Sequence, residues 1–131
     1  MLLKNNSTNI RIRKTMSVSN LNIAESYYAA MNNKDLNEIA LYLHPKVRFL
    51  GPLAQLEGKE AVLESAKGFL GIVDSVKMRT KTAFSNQAML SYDLNCVQPI
   101  GTIRVAALMT FEDNLISVIE LFFDARVFDK Q

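Results

Sequence analysis

The stretch LISVIELFFDARVF, residues 115–128, decides the fold class, because its side chains alternate between two chemical kinds. Successive side chains of a β-strand point to opposite faces of a sheet. One face is wholly apolar and comprises Ile119, Leu121, Phe123 and Ala125. The other face carries both carboxylates and comprises Val118, Glu120, Phe122 and Asp124. A buried carboxylate without a partner is strongly destabilising, so Glu120 is predicted to point outward and the apolar set inward.

Three further strands are predicted upstream, because the same alternation occurs in VDSVKMRTKTAF (73–84), QAMLSYDLNCV (87–97) and GTIRVAALMTF (101–111). The short segments SNQ, QPIG and EDN join them, and short turns between consecutive strands indicate an antiparallel sheet. A shorter strand, KVRFL, is predicted at residues 46–50.

The first half of the chain has helical periodicity instead. SNLNIAESYYAAMNN (19–33) places Tyr27, Tyr28 and Met31 on one apolar stripe, and Ser19 or Asn20 can cap it. KDLNEIALYLHP (34–45) is predicted as a second helix that ends before Pro45, with Asp35 and Glu38 spaced as in a capping box. KEAVLESAKGFLG (59–71) is the third, and GPLAQLEG (51–58) is a loop. Helices followed by an antiparallel meander indicate an α+β fold.

Strand parity extends the inside-outside assignment to the whole sheet. The predicted inward polar groups are Tyr92, Thr80, Thr82 and Cys96, with Tyr27 added from the first helix. The predicted outward charges are Lys77, Arg79, Lys81, Arg104, Asp93, Glu120 and Asp124. These outward charges can form cross-strand ion pairs. Alternatively, with Phe122 and Val118 between them, they can form the rim of a dimer interface.

Composition limits the classes of function. The 131 residues suit one domain, with a net charge of +2. Residues 1–18 carry four basic residues and no acid, so they are predicted to be a disordered basic tail before a single domain at 19–131. The body is mildly acidic and has no long apolar run, so neither nucleic acid nor a membrane is predicted as a partner. Cys96 is the only cysteine, which favours a reducing, cytoplasmic location.

The ionisable residues that could do chemistry are few. His44 is the only histidine, so it is a candidate general base or, alternatively, a residue that caps the helix or fills a surface turn. One cysteine and one histidine provide no cluster with metal-ligand spacing, so neither a metal nor another cofactor is predicted. Tyr27 and Tyr92 can donate hydrogen bonds to a carbonyl or enolate oxygen, or they can be core aromatics whose hydroxyls already have partners.

Three segments in order resemble one known family. YYAAMNNKDLNEIALYLHPKVRF (27–49), GPLAQLEGKEAV (51–62) and FEDNLISVIELFFD (111–124) resemble the nuclear transport factor 2-like superfamily, in particular its SnoaL-like branch. The resemblance implies a cone, in which a curved mixed or antiparallel sheet wraps around three N-terminal helices and leaves a pocket at the open end. Members include ketosteroid isomerases, polyketide cyclases and epoxide hydrolases, and dimers are common among them.

The resemblance also implies which catalytic positions to compare. Tyr27 matches the oxyanion tyrosine of the isomerases, but Gly51 and Ala107 stand where their two acids lie. Val105 and Ala107 replace the arginine and aspartate of the hydrolases, and Leu121 replaces their acid on the last strand. The usual carboxylate chemistry of the family is therefore not expected in this chain.

These inferences predict a pocket that binds a small apolar molecule. Its predicted lining comprises Tyr27, Met31, Phe49, Leu53, Phe69, Leu90, Tyr92, Leu94, Val105, Ala107, Met109, Ile119, Leu121 and Phe123. The first alternative is an isomerase- or cyclase-like enzyme that uses Tyr27, Tyr92 and His44. The second is an interaction module, and a homodimer through the outer sheet face is predicted as its partner.

Overall fold

The computed structural model describes residues 19–130, so the predicted basic tail at 1–18 and Gln131 lie outside the described residues. Helix α1 covers residues 19–32 of this part, and the other helices are α2 (Leu36–Leu41) and α3 (Lys59–Leu70). The strands are β1 (Leu43–Leu50), β2 (Gln55–Glu57), β3 (Val73–Phe84), β4 (Gln87–Cys96), β5 (Thr102–Glu112) and β6 (Leu115–Phe122). A 3-10 helix, Ala125–Lys130, follows. Within 19–130 no helix is long and apolar enough to cross a membrane.

The strands form one six-stranded sheet in the order β2-β1-β6-β5-β4-β3. The β1–β6 pair is parallel, and every other neighbouring pair is antiparallel. The long strands β3 to β6 are the predicted meander, and β1 is added at its β6 edge. The predicted α+β fold, a curved mixed sheet with N-terminal helices, is confirmed.

Helix α1 packs its aromatic stripe into the core, as its periodicity predicts. Tyr27, Tyr28 and Met31 are all buried. The side-chain amide of Asn32 fixes the helix to β3 by accepting from the Val76 N–H and donating to the Val76 carbonyl. The predicted cap at Ser19 or Asn20 is wrong, because both residues are already helical.

The second helix is shorter than predicted. Asp35 caps it as expected, since its Oδ1 accepts from the Glu38 N–H at 3.0 Å. The helix nevertheless ends at Leu41, and β1 begins at Leu43, three residues before the predicted strand start. Leu43 is fully buried and pairs with Ile116 of β6. Tertiary pairing with β6 therefore overrides the local helical periodicity at this point.

Two other element boundaries also differ from the prediction. The predicted loop at 51–58 contains β2, because Leu56 pairs with Phe49 of β1. The last strand ends at Phe122 rather than continuing to residue 128, and the chain then turns into the 3-10 helix. Both segments border the cavity described below.

A register shift in β3 reverses part of the predicted face assignment. Met78 pairs with Tyr92 and Thr80 pairs with Ser91, so Arg79 is the extra residue of a β-bulge. Beyond the bulge Thr80 lies on the outer face, where its hydroxyl hydrogen-bonds that of Ser91. The prediction that Thr80 and Thr82 point inward is therefore wrong, as is the outward placement of Lys81. Lys81 turns to the helix side, where its Nζ lies 2.8 Å from Glu25 of α1.

Candidate functional site

A cavity of about 420 Å³ lies between the helices and the inner face of the sheet. Its floor and sides come from β4, β5 and β6, through residues such as Tyr92, Val105 and Ile119. Helix α1 provides Tyr27 and Tyr28, and α3 provides Val62 and Phe69. The rim is formed by the 51–54 loop, the exposed residues Glu64, Ser65 and Gly68 of α3, and Phe128 of the 3-10 helix. Its volume is within the range of small-molecule pockets.

The structure places all but three of the predicted pocket residues on the cavity wall. The three that do not line it are Leu90, Ala107 and Met109, which are fully buried in the core. In the sheet Leu90 lies opposite Ala107 of β5 on one side and Lys81 of β3 on the other. Lys81 forms an ion pair with Glu25 of α1. Helix α1 thus covers this end of the sheet, so inward side chains there pack against it and do not reach the cavity.

Three tyrosines provide the deep polar groups of the cavity. The rings of Tyr27 and Tyr28 meet edge to face, with centroids 5.1 Å apart, and those of Tyr28 and Tyr92 are 4.6 Å apart. Each of the three is at most 4% exposed. Tyr28 was placed on the buried stripe of α1 by its periodicity, but its contact with Tyr92 could not be read from spacing, because the two residues are 64 positions apart.

The three hydroxyls differ in their hydrogen bonding. The Tyr28 hydroxyl donates to the Tyr92 oxygen at 3.1 Å, which leaves the Tyr92 proton available to another acceptor. The Tyr27 hydroxyl has no hydrogen-bond partner among the described residues. Tyr27 also lines the cavity. The cavity therefore offers two phenolic protons, from Tyr27 and Tyr92.

Burial keeps these phenols protonated. It raises the pKa of Tyr27 to about 12. It also raises the pKa of Tyr92, although the hydrogen bond from Tyr28 acts in the opposite direction. Burial is again the largest cause of the raised pKa of Tyr28, and the neighbouring Tyr92 and Tyr27 add to it. All three groups are neutral hydrogen-bonding groups near neutral pH, and the same desolvation disfavours an anion beside them.

Within residues 19–130, no strong acid or base reaches the depth of the cavity. Among the described residues that line it, the only Asp, Glu, His, Lys, Arg or Cys is Glu64, which is exposed at the rim. Neither does any group of three His, Cys, Asp or Glu side chains within 19–130 lie close enough together to hold a metal ion. The cavity can therefore orient and polarise an uncharged molecule, but the part of its wall that the structure describes has no buried group that would accept a proton near neutral pH.

His44, a predicted candidate base, is not part of this site. It lies on β1, where its Nδ1 accepts from the Lys46 N–H at 3.0 Å. Its Nε2 is 3.9 Å from a carboxylate oxygen of Asp113, in the β5–β6 turn. As a candidate catalytic residue His44 does not line the cavity, because β1 begins earlier than predicted and directs this residue toward the turn. The alternative prediction, a helix cap or a surface turn, also differs from the structure, since His44 lies in β1 and contacts the turn only through Asp113.

Sequence reasoning missed about half of the cavity wall, namely Tyr28, Gly51, Ala54, Leu56, Val62, Glu64, Ser65, Ala66, Gly68, Ile72, Ile103 and Phe128. Phe128 was predicted within a strand, but it lies on the 3-10 helix and packs edge to face on Phe123 at 6.0 Å. Glu64 and Ser65 were passed over because they lie on the exposed side of the α3 pattern. The apolar residues at 127–128, which follow the carboxylate Asp124, are the sequence signal that this segment packs back against the domain.

Glu120 points away from the cavity, as predicted. Its strand neighbours Ile119 and Leu121 both line the cavity, whereas Glu120 does not. The predicted outer ion pairs are present around Asp93, which lies 3.4 Å from Arg79 and 3.3 Å from Arg104. The inner face is therefore apolar and phenolic in the cavity region, and the outer face carries the charges.

Comparison with known proteins identifies the same architecture. The family model of the SnoaL-like domain matches residues 24–119, which is more than half of the chain. No protein of curated function has significant similarity.

Solved structures give the same result. A protein from Kribbella flavida DSM 17836 superposes with a TM-score of 0.78 at 21% identity, over 84% of this chain and 90% of that one. A proposed ketosteroid isomerase from the same organism gives a TM-score of 0.75 at 18% identity, over 82% of this chain and 79% of that one. A proposed polyketide cyclase from Sinorhizobium meliloti gives 0.72 at 16% identity, over 77% and 94%. These likenesses establish the fold.

Proposed function

The chain belongs to the SnoaL-like domain family, and from that premise we propose that its cavity binds a small, uncharged, apolar molecule that carries a hydrogen-bond acceptor. The observation that carries this proposal is the combination of an apolar wall with two available phenolic protons, those of Tyr27 and Tyr92. An acceptor such as a carbonyl oxygen would complete both hydrogen bonds. The rest of the molecule would remove apolar cavity surface from water, which is favourable.

The predicted chemistry of the ligand follows from what the cavity lacks. No cation lines it among the described residues, so a carboxylate ligand would be desolvated without a counter-ion. A hydrocarbon would gain the apolar contacts and leave the phenols unpaired. The expected order of affinity is therefore ketone, then hydrocarbon, then carboxylate, for molecules of the same size.

Thermal denaturation with three matched probes tests this order. Benzophenone, diphenylmethane and diphenylacetate share two phenyl rings and differ in the group that would meet the tyrosines. A ligand that binds only the folded state raises the melting temperature according to its affinity. Benzophenone is expected to give the largest shift and diphenylacetate the smallest. No shift with any apolar probe, or the largest shift with the carboxylate, would contradict the proposal.

A second candidate is an isomerase- or cyclase-like enzyme that uses the same phenols to stabilise an oxyanion. Tyr27 favours it, because its hydroxyl has no hydrogen-bond partner among residues 19–130 and its buried ring lines the cavity. The similar structures proposed as a ketosteroid isomerase and a polyketide cyclase give this reading a precedent on the same fold. Glu64 at the rim is the only carboxylate among the described lining residues, and it would have to move the proton.

The enzyme reading has its own test. For any substrate that is turned over, Tyr27→Phe is expected to lower kcat more than it changes KM, because the oxyanion forms in the transition state. Turnover by Tyr27→Phe equal to that of the unmodified chain would remove Tyr27 from the mechanism. Glu64→Gln separates a role for the rim carboxylate from one for the phenol.

A homodimer through the outer sheet face is proposed alongside ligand binding. Phe122 and Met89 support it, since they lie on this face and are 50% and 42% exposed. Sedimentation of the full chain at micromolar concentration tests it, and a strict monomer would contradict it. We also propose a reducing, cytoplasmic setting, which the single buried thiol of Cys96 supports.

A further inference from the structure

We propose that a ligand enters the cavity across helix α3 at Gly68, and that the lack of a side chain there sets the width of the molecules that can pass. The inference rests on the proposed function, since it concerns the same cavity, and it adds the route by which a ligand reaches Tyr27 and Tyr92. It is carried by the exposure of the cavity wall and by the surroundings of this glycine.

The exposed part of the cavity wall lies mainly on one short stretch of α3. An entrance is lined by residues that border both the cavity and bulk water. Among the described residues that line the cavity only four are exposed, and three of them are Glu64, Ser65 and Gly68 of α3. The fourth is Leu53 of the 51–54 loop, whose exposed fraction is 56%. The entrance therefore lies at this stretch of α3, with Leu53 on its rim.

Nothing in the described fold requires a glycine at position 68. Among the glycines of residues 19–130, a positive φ occurs only at Gly58 and Gly101. A Cβ atom on Gly68 would have no heavy atom within 4 Å beyond its own helix backbone and chain neighbours. Glycine is less favourable than alanine inside a helix. The chain therefore carries at this position a residue that weakens α3 and leaves open space at the cavity wall.

A side chain at position 68 would narrow this entrance. Residues three and four positions apart are neighbours on a helix surface, and helical side chains lean toward the N-terminus of the helix. A larger side chain at position 68 would therefore cover the surface beside Glu64 and Ser65, which both line the cavity. The phenols of Tyr27 and Tyr92 are buried and would keep their surroundings. Such a change should hinder the passage of a ligand more than its binding.

A second route, between α1 and β3, is closed by Tyr28. A cleft of about 190 Å³ lies there, and Tyr28 lines both this cleft and the cavity. The Tyr28 residue is only 3% exposed, and its hydroxyl donates to Tyr92, so its ring separates the two spaces. Lys81 and Glu25, which form an ion pair, also line the cleft. Passage on this side would break the hydrogen bond of Tyr28, whereas Gly68 leaves a path open.

Stopped-flow measurement of benzophenone binding to the unmodified chain and to Gly68→Leu tests the entrance, with quenching of tyrosine fluorescence as the signal. The leucine variant is expected to slow association and dissociation each about 10-fold or more, and to leave Kd within about 3-fold, because a residue that only obstructs the path changes both rates alike. Acetophenone, which has one ring, should be slowed less. Ala61→Leu places the same side chain at an exposed site of α3 away from the cavity wall, and both rates should stay unchanged.

Thermal denaturation of Gly68→Ala tests whether the fold needs this glycine. Alanine is the better helix former and its Cβ meets no atom outside α3, so the melting temperature is expected to rise by roughly 1–4 °C. A lower melting temperature would overturn the proposal, because the glycine would then be required for folding and its place at the entrance would need no other explanation.

The binding experiment separates failure of the entrance from failure of the proposed function. If the unmodified chain binds no benzophenone, the proposed function fails and the entrance with it. If it binds and Gly68→Leu exchanges the ligand equally fast, binding stands and the entrance lies elsewhere. A leucine variant that loses affinity only through faster dissociation would make Gly68 part of the binding wall, and it would likewise overturn the entrance.

Discussion

Replacing Tyr28 by phenylalanine is expected to destabilise the fold, whereas the same replacement at Tyr27 is expected to leave stability nearly unchanged. Both changes remove one hydroxyl from a buried ring of α1 and keep the ring itself. The Tyr28 hydroxyl donates to Tyr92 at 3.1 Å, but the Tyr27 hydroxyl has no partner in the described part of the chain. Any difference between the two variants therefore reports the hydrogen bond.

The magnitude follows from the loss of one buried neutral hydrogen bond. Such a bond contributes about 0.5–1.5 kcal/mol to the free energy of unfolding. For a chain of this length a loss of about 1 kcal/mol lowers the melting temperature by roughly 3–5 °C. The expected change at Tyr27 is within about 0.5 kcal/mol of zero, because its hydroxyl makes no hydrogen bond with another residue of 19–130 that the change would break.

Urea denaturation, followed by circular dichroism, measures both free energies. The binding of benzophenone should depend on Tyr27 even though stability does not. Tyr27→Phe removes a hydrogen bond to benzophenone and should weaken its binding about 3- to 10-fold. Equal destabilisation by the two variants would refute the assignment of the hydrogen bond to the Tyr28 hydroxyl and not to that of Tyr27. So would unchanged benzophenone affinity in Tyr27→Phe.

Three further predictions test other parts of the structure. Burial raises the pKa of Tyr27 to about 12, so the folded state holds a proton that the unfolded state loses above about pH 10; in denaturant titrations between pH 10 and 12 the stability of the unmodified chain should therefore fall more steeply with pH than that of Tyr27→Phe, and equal slopes would contradict the raised pKa. Ile119→Asp should lower the free energy of unfolding by more than about 3 kcal/mol, because residue 119 faces the cavity. Val118→Asp, on the outer face, should lower it by less than about 1 kcal/mol in the same assay, and comparable losses would contradict the face assignment. Asp35→Ala should lower the unfolding free energy by about 1 kcal/mol, since the Glu38 N–H loses its acceptor, and an unchanged urea midpoint would contradict the capping role.

The fold could be predicted from the sequence because its strongest signals are local and periodic. The alternation around Glu120 separated the two faces of β6 correctly, and the apolar stripe of α1 located Tyr27 and Tyr28 in the core. The turn segments also marked the hairpins correctly. At the β5–β6 turn Asp113 and Asn114 both have positive φ, a conformation typical of two-residue hairpin turns.

The errors arose where pairing between distant segments decides the structure. Leu43 leaves the helical pattern because β6 offers it a strand partner. The bulge at Arg79 depends on how β3 pairs with β4, and one extra residue reverses the faces of Thr80 and Lys81. Periodicity within one segment contains neither kind of information.

The same reason limits what the sequence revealed about the site. Parity correctly assigned Leu90 and Met109 to the inner side of the sheet, but it could not show that they lie in the packed core and not along the cavity. The hydrogen bond between Tyr28 and Tyr92 joins a helix to a strand and leaves no local trace. Which inward residues border empty space depends on where the helices cross the sheet.

Calorimetric titration of benzophenone into the unmodified chain and into Ala66→Trp tests the central claim most directly. Ala66 is a small residue of α3 on the cavity wall, so an indole at this position should occupy space that a ligand needs. The account predicts that the unmodified chain binds one benzophenone per chain, and that the tryptophan variant is folded but binds at least about 10-fold more weakly. Equal affinity in the two proteins, or no binding by the unmodified chain, would contradict a ligand site in this cavity.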